Sequence, residues 1–200
     1  MFNSITPKAL QWILRTMPNF CWPLKVFLIK RSLVKVGRNF RCSPDSILTD
    51  PRFIEIGENV FFGNRTTINT VVPVKIGSNV MFGPEVMILG GDHNITEVGK
   101  LMKDVHEGGI NKPVIIEDDV WIGSRVLILK GVIIGEGAVV GAGSVVIRRL
   151  PPFSVSVGHP CKPVKCRFSS IDLKTHLKST ASKYSFEDVV EEYNLWGLKI

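Results

Sequence analysis

"VIIEDD VWIGSR VLILKG VIIGEG AVVGAG SVVIRR", residues 114–149, divides into six hexads without a gap. Each opens on an apolar or small residue and places an aliphatic residue third: Ile116, Ile122, Ile128, Ile134, Val140 and Val146. Glycine often comes fourth. Carried backwards, the same frame holds at Ile76, Phe82 and Ile88, then at Ile56, Phe62 and Ile68, and more loosely at Val36, Cys42 and Leu48. The first positions include Val80, Val86, Val120, Val126 and Val132, with Ala138 and Ser144 as smaller members. A period of six is neither the 3.6 of a helix nor the alternation of a plain strand. It suits a short strand with two inward side chains and a turn, the fourth-position glycine being expected to give that turn its backbone freedom. Three such sides close a triangle. Two coils, centred on 116–128 and 134–146, follow each other directly, whereas those on 36–48, 56–68 and 76–88 are offset by two-residue insertions. Each coil hides its apolar interior only by stacking on its neighbours, as in solenoid repeats. Fifteen hexads in frame outweigh the alternative, a sandwich of alternating strands.

Two hundred residues suffice for one domain with a sizeable core, and 44% hydrophobic with 22% charged residues is a globular composition. No apolar run is long enough to span a bilayer, and the N-terminus has no continuous stretch like a secretory signal. Cys21, Cys42, Cys161 and Cys166 form no C-x-x-C pair, so reduced thiols in a cytoplasm are expected. The net charge of +7 is uneven: residues 1–44 hold eight Lys or Arg and no Asp or Glu. The remainder is close to neutral. A nucleic-acid-binding body is therefore not expected, and any anionic partner should meet the N-terminal arm.

The array breaks after Ile88 and resumes at Val114, leaving about twenty residues outside it, beginning with "LGGDHNITEVGK" at 89–100. Loops of that length inside a compact repeat are usually functional. The array, with "VWIGSRVLILKGVIIGEGAVVGAGSVV" followed by "LPPFSVSVGHPCKPV", resembles the hexapeptide-repeat acyltransferases over roughly residues 34–166. That resemblance implies a left-handed parallel β-helix, homotrimers, and acetyl-CoA as acyl donor. It also implies a catalytic histidine at the root of the emergent loop, the place held here by His93, with Trp121 downstream. Acyl transfer to an alcohol needs the hydroxyl proton removed as the oxygen attacks, and a side chain titrating near neutrality is an efficient acceptor. Asp92 is adjacent but is not expected to orient the imidazole.

By the same resemblance Trp121, Gly123 and Ser124 lie near the thiol end of coenzyme A, and Gly141 and Ala142 along its pantetheine arm. Arg148 and Lys162 take basic positions that face the phosphates, while Ile147 replaces a usual threonine. His106 lies within the loop, His159 stands where asparagine is usual in a turn, and His176 is expected to be solvated. Some β-helices are zinc carbonic anhydrases, but no two histidines here are closer than 13 residues, so no metal site is expected. A non-catalytic scaffold would need no His-loop with Trp. The acceptor expected is a sugar hydroxyl of a surface polysaccharide or its precursor, because the loop is polar and mixed in charge. Amino-sugar N-acetylation is the nearest competitor, followed by serine or antibiotic acetylation.

The expected organisation is a basic amphipathic arm at 1–33, the β-helix at 34–166 with its loop at 93–113, and a helical tail at 167–200. In the arm Leu10, Ile13, Leu14 and Met17 have helical spacing, Pro18 and Pro23 interrupt, and Val26, Phe27, Ile29 and Lys30 resume. It should cap the open end of the β-helix, with peripheral contact of residues 1–44 with an inner membrane surface as a second role. In the tail, Ser185 and Asp188 mark a helix start, with Phe186, Val189, Val190 and Tyr193 on one face and an end near Gly197.

Overall fold

A computed structural model describes residues 9, 12, 13, 16, 17, 21–109 and 111–200. Leu10, Leu14 and Pro18 of the arm lie outside the described residues, as does Ile110 of the loop. Three sheets form the sides of a prism. Sheet A stacks β1 (Lys35–Val36), β4 (Ile54–Ile56), β7 (Val74–Ile76), β10 (Val114–Ile116) and β13 (Ile133–Ile134). Sheet B stacks β2 (Arg41–Cys42), β5 (Phe61–Phe62), β8 (Met81–Phe82), β11 (Trp121–Ile122), β14 (Val139–Val140) and β16 (Ser154–Gly158). The return strand β17 (Cys161–Cys166) pairs antiparallel with β16. Sheet C stacks β3 (Ile47–Leu48), β6 (Thr67–Thr70), β9 (Met87–Gly90), β12 (Leu127–Leu129) and β15 (Val145–Val146). All other pairings are parallel, giving a solenoid of about six turns.

The register follows the hexad frame. Val36 pairs with Ile56, Ile56 with Ile76, Ile76 with Ile116 and Ile116 with Ile134. The third-position side chains therefore stack in columns inside the prism. On sheet B the column runs from Cys42 to Phe62 and Phe82, with Phe62 stacked on Phe82 at 4.7 Å and the first-position Phe40 edge-on to Phe62 at 5.1 Å. First and third positions from Val80 to Val146 are buried, Ser144 among them.

The turns correct one expectation. The left-handed backbone falls on the sixth residue of the hexad, not on the fourth-position glycine. Along the edge between sheets A and B it falls on Asn39, Asn59, Asn79, Asp119 and Gly137. Asparagine tolerates this conformation, and the side chains bond up the edge: Asn39 Nδ2 donates to Asn59 Oδ1 at 2.9 Å, and Asn59 Nδ2 to Asn79 Oδ1 at 3.0 Å. Along the edge between B and C, Arg65, Glu85, Arg125 and Gly143 take the same place, with Glu85 paired to both arginines. The fourth-position glycines instead let the coils approach. A Cβ at Gly57 would lie 2.6 Å from the Gly77 carbonyl carbon, and one at Gly63 equally close to that of Gly83.

Helices flank the solenoid at both ends of the chain. Helix α1 (Trp22–Ser32) lays Ile29 on the core, followed by Leu33, with Trp22 and Val26 packed alongside. Pro23 begins this helix rather than interrupting it, because a first-turn residue has no helical acceptor for the missing N–H. At the other end, α2 (Ser170–Thr180) and α3 (Phe186–Leu195) close a second cluster of Phe153, Leu173, Leu177, Val189 and Tyr193. The expected Ser185–Asp188 capping box is present at α3. His176 departs from expectation: it is half-buried, its ring 4.6 Å from Phe168 and 5.6 Å from Phe153. The linker between these helices is tied to sheet A through Glu117, which accepts from Tyr184 Oη at 2.9 Å and Glu136 N at 2.9 Å and pairs with Lys183 at 2.8 Å.

Candidate active site

The loop leaves at the edge between sheets C and A. Its last strand residue, Gly90, pairs with Thr70, and a Cβ there would lie 2.2 Å from Thr70 Oγ1. Only glycine fits this exit. Asp92 then forms an ion pair with Lys130 of the next coil, and its Oδ1 accepts from the backbone N–H of His93 at 3.0 Å. The carboxylate thus holds the main chain of His93, not its ring. The imidazole is exposed, and among the described residues no protein group hydrogen-bonds it. The loop closes near its origin: Asn94 Nδ2 donates to the Glu107 carbonyl at 3.5 Å, and Gly109 packs beside the Asp92 carbonyl. It is less polar outside than its composition suggests, since Ile95, Val98, Leu101 and Met102 are all exposed. His106 is exposed as well.

A second group lies along the edge between B and C. Trp121 points outward from β11, flanked by Met81 and Val139. Gly123 donates its N–H to the Val140 carbonyl at 2.7 Å, and a Cβ on it would lie 2.6 Å from Ala142 N. Ser124 and Gly143 are joined by a backbone bond of 2.8 Å, and Gly141 lies directly under Val157. Lys162 pairs with Val157 in the β16–β17 hairpin and is exposed. Trp121, Gly123, Ser124, Gly141, Ala142 and Lys162 therefore form one strip. His159, exposed, fills the hairpin turn.

Arg148 is not in that strip. It follows β15, on the edge from which the loop also departs, with its guanidinium 5.7 Å over the ring of Trp196. The edge between C and A lies opposite sheet B, so His93 and the outward face of Trp121 are on opposite sides of one prism. Two contacts were missed by sequence reasoning, Asp92–Lys130 and Arg148–Trp196. The first was open to arithmetic, because Ile88 pairs with Ile128 and Lys130 is then the counterpart of Gly90.

Among the described residues no three His, Cys, Asp or Glu side chains converge as a metal site would need. All four cysteines are free; burial pushes the Cys42 thiol up to about 12, against the charges of Lys30 and Lys25. No helix among the described residues is long and apolar enough to cross a membrane.

Two family models match, "Bacterial transferase hexapeptide (six repeats)" at residues 113–148 and "Hexapeptide repeat of succinyl-transferase" at 54–83. The galactoside O-acetyltransferase of Lactococcus lactis subsp. lactis is 35% identical over 158 residues, covering 74% of this chain and 70% of that protein. This chain belongs to the hexapeptide-repeat acetyltransferases. A maltose O-acetyltransferase from Clostridium difficile superposes with a TM-score of 0.73 at 31% identity, over 82% of this chain and 85% of that one. A hexapeptide-repeat acetyltransferase from Vibrio cholerae, complexed with acetyl coenzyme A, gives 0.70 at 27% identity over 82% and 86%. The solenoid of this hexapeptide-repeat acetyltransferase is the left-handed β-helix of that fold.

Proposed function

We propose that the protein transfers an acetyl group from acetyl-CoA to a sugar hydroxyl, in a site shared between copies of a homotrimer. The observation that carries the reading is the loop root: the Asp92–Lys130 pair fixes the main chain of His93 and leaves its imidazole free to meet a substrate. His93 takes the hydroxyl proton as the oxygen attacks the thioester carbonyl. The carbon–sulfur bond then breaks and the departing thiolate recovers the proton from the imidazolium, so no acyl-enzyme forms. Backbone N–H groups at a turn suit the transient oxyanion.

The placement of the two groups supports assembly into a ring. The base and Arg148 are on one edge, and the strip from Trp121 to Lys162 is on another. A head-to-tail ring sets one edge of each copy against a different edge of the next, which completes the site. The exposed apolar side chains of the loop and of Phe61, Met81 and Trp121 suit such contacts. Coenzyme A would lie in the groove between prisms, its pantetheine arm against Gly141 and Ala142 and its phosphates toward Lys162 and Arg148. The acceptor reading rests on the Asn, Asp, Glu and Lys side chains of the loop and on the sugar acceptors of the relatives. A polysaccharide precursor at the cytoplasmic membrane face is the substrate class we favour.

The test is an acetyl-CoA assay against a panel of sugars, followed by mild alkali. An ester is lost and an amide persists. An alkali-stable product would replace hydroxyl transfer by amino-sugar N-acetylation.

A further inference from the structure

Helix α1 is apolar on two faces, although capping the prism uses only one. The inward face carries Ile29 and Leu33, with Trp22 and Val26 alongside. The opposite face, at helical spacing, carries Leu24, Phe27, Leu28 and Arg31. Leu24 and Phe27 are 52% and 51% exposed, and Trp12, Val34 and Phe53 are exposed as well. The surrounding charge has one sign. Residues 1–44 contain no carboxylate side chain, and Arg31 and Lys35 are exposed. Of the acids that follow, Asp50, Glu55 and Glu58 pair with Arg52, Lys75 and Arg38, and Asp45 accepts from Ser43 Oγ and the Arg65 N–H.

We infer that this end of the molecule docks on an anionic lipid surface. Leu24 and Phe27 enter the headgroup layer, and Arg31 and Lys35 face the lipid phosphates. Charge selects this occupant. A second copy of the same face would bring like charges together, whereas an anionic bilayer supplies both an apolar layer and counter-charges. In the ring proposed above, prisms joined edge to edge stand parallel, so three such faces share one plane and their weak contacts add. That last point rests on the trimer reading; the docking of a single copy does not.

The experiment mixes the full chain with vesicles of phosphatidylcholine alone and of phosphatidylcholine with phosphatidylglycerol, followed by sedimentation and light scattering. Binding to the anionic vesicles should be at least about tenfold tighter and should weaken as salt is raised. The double variant L24S/F27S should lose about tenfold in that binding, with unchanged particle size and unchanged transfer to a soluble acceptor. R31E/K35E should lose the preference for phosphatidylglycerol. Absence of binding to anionic vesicles, equal binding to both kinds, or wild-type binding by L24S/F27S would each overturn the inference. A smaller particle in L24S/F27S would make a second copy the occupant and overturn it too. A monomeric wild type that still binds anionic vesicles would remove the trimer and leave the docking intact.

Discussion

His93, the proposed base, combines a fixed main chain with a free side chain. Truncation should remove proton transfer and little else. His93→Ala is expected to lower kcat by at least about a hundredfold, with coenzyme A affinity measured by calorimetry nearly unchanged. Wild-type turnover in that variant would take the base role from His93. Gly123 presents a different residue-scale constraint. A Cβ there would sit 2.6 Å from Ala142 N, and neither backbone can turn aside. Gly123→Ala should therefore destabilise the fold by about 1–3 kcal/mol, read as a lower denaturation midpoint. The loop-root position of His93 was legible from the break in the array, whereas its proposed role as base rests on the family resemblance. The stacking of Arg148 on Trp196 was not legible, because the tail belongs to no repeat and its docking place cannot be counted out.

At the scale of elements, the strands were legible because each places two side chains in the same interior at a fixed interval. Helix α2 was not. Its sequence "SIDLKTHLKST" offers only Leu173 and Leu177 as buried residues, too few for a clear helical stripe. Strand β17 was also hidden, since "CKPVKC" carries a proline and reverses direction against every other strand. The linker between α2 and α3 yields a test of its docking. Burial, and then the Glu117 carboxylate, push the Tyr184 phenol up to about 12. The folded protein thus keeps a proton that the unfolded chain gives up near pH 10. The contribution is whole below about pH 10 and is lost as pH rises towards about 12. Wild-type Tm should fall more steeply than that of Tyr184→Phe over this interval. Parallel curves would mean that Tyr184 does not report on the docking.

For the whole molecule, the proposed sharing of a site between copies has a consequence that no single-chain site can have. His93→Ala keeps an intact Trp121 strip, and Trp121→Ala keeps an intact base. In mixed rings, one orientation of neighbours restores both. Co-refolding equal amounts should recover about a quarter of wild-type activity at low acyl-donor concentration, one favourable ordered pair in four. Recovery no greater than the sum of the separate variants would place the whole site within one chain, and a monomer by light scattering would do the same.

The way the loop closes on itself bears on how such a protein changes over time. Gly90 still pairs with Thr70 and Val114 with Val74, so the coils on either side keep register across the excursion. Asn94 and Gly109 bring its two limbs together before either reaches the outer part. The closure entropy of such a segment rises slowly with its length. The segment between residues 95 and 106 therefore behaves as a cassette. It can be lengthened, shortened or exchanged while the solenoid, the exit glycine and the histidine stay in place, so the chemistry of the loop is free to drift on a scaffold that does not register the change.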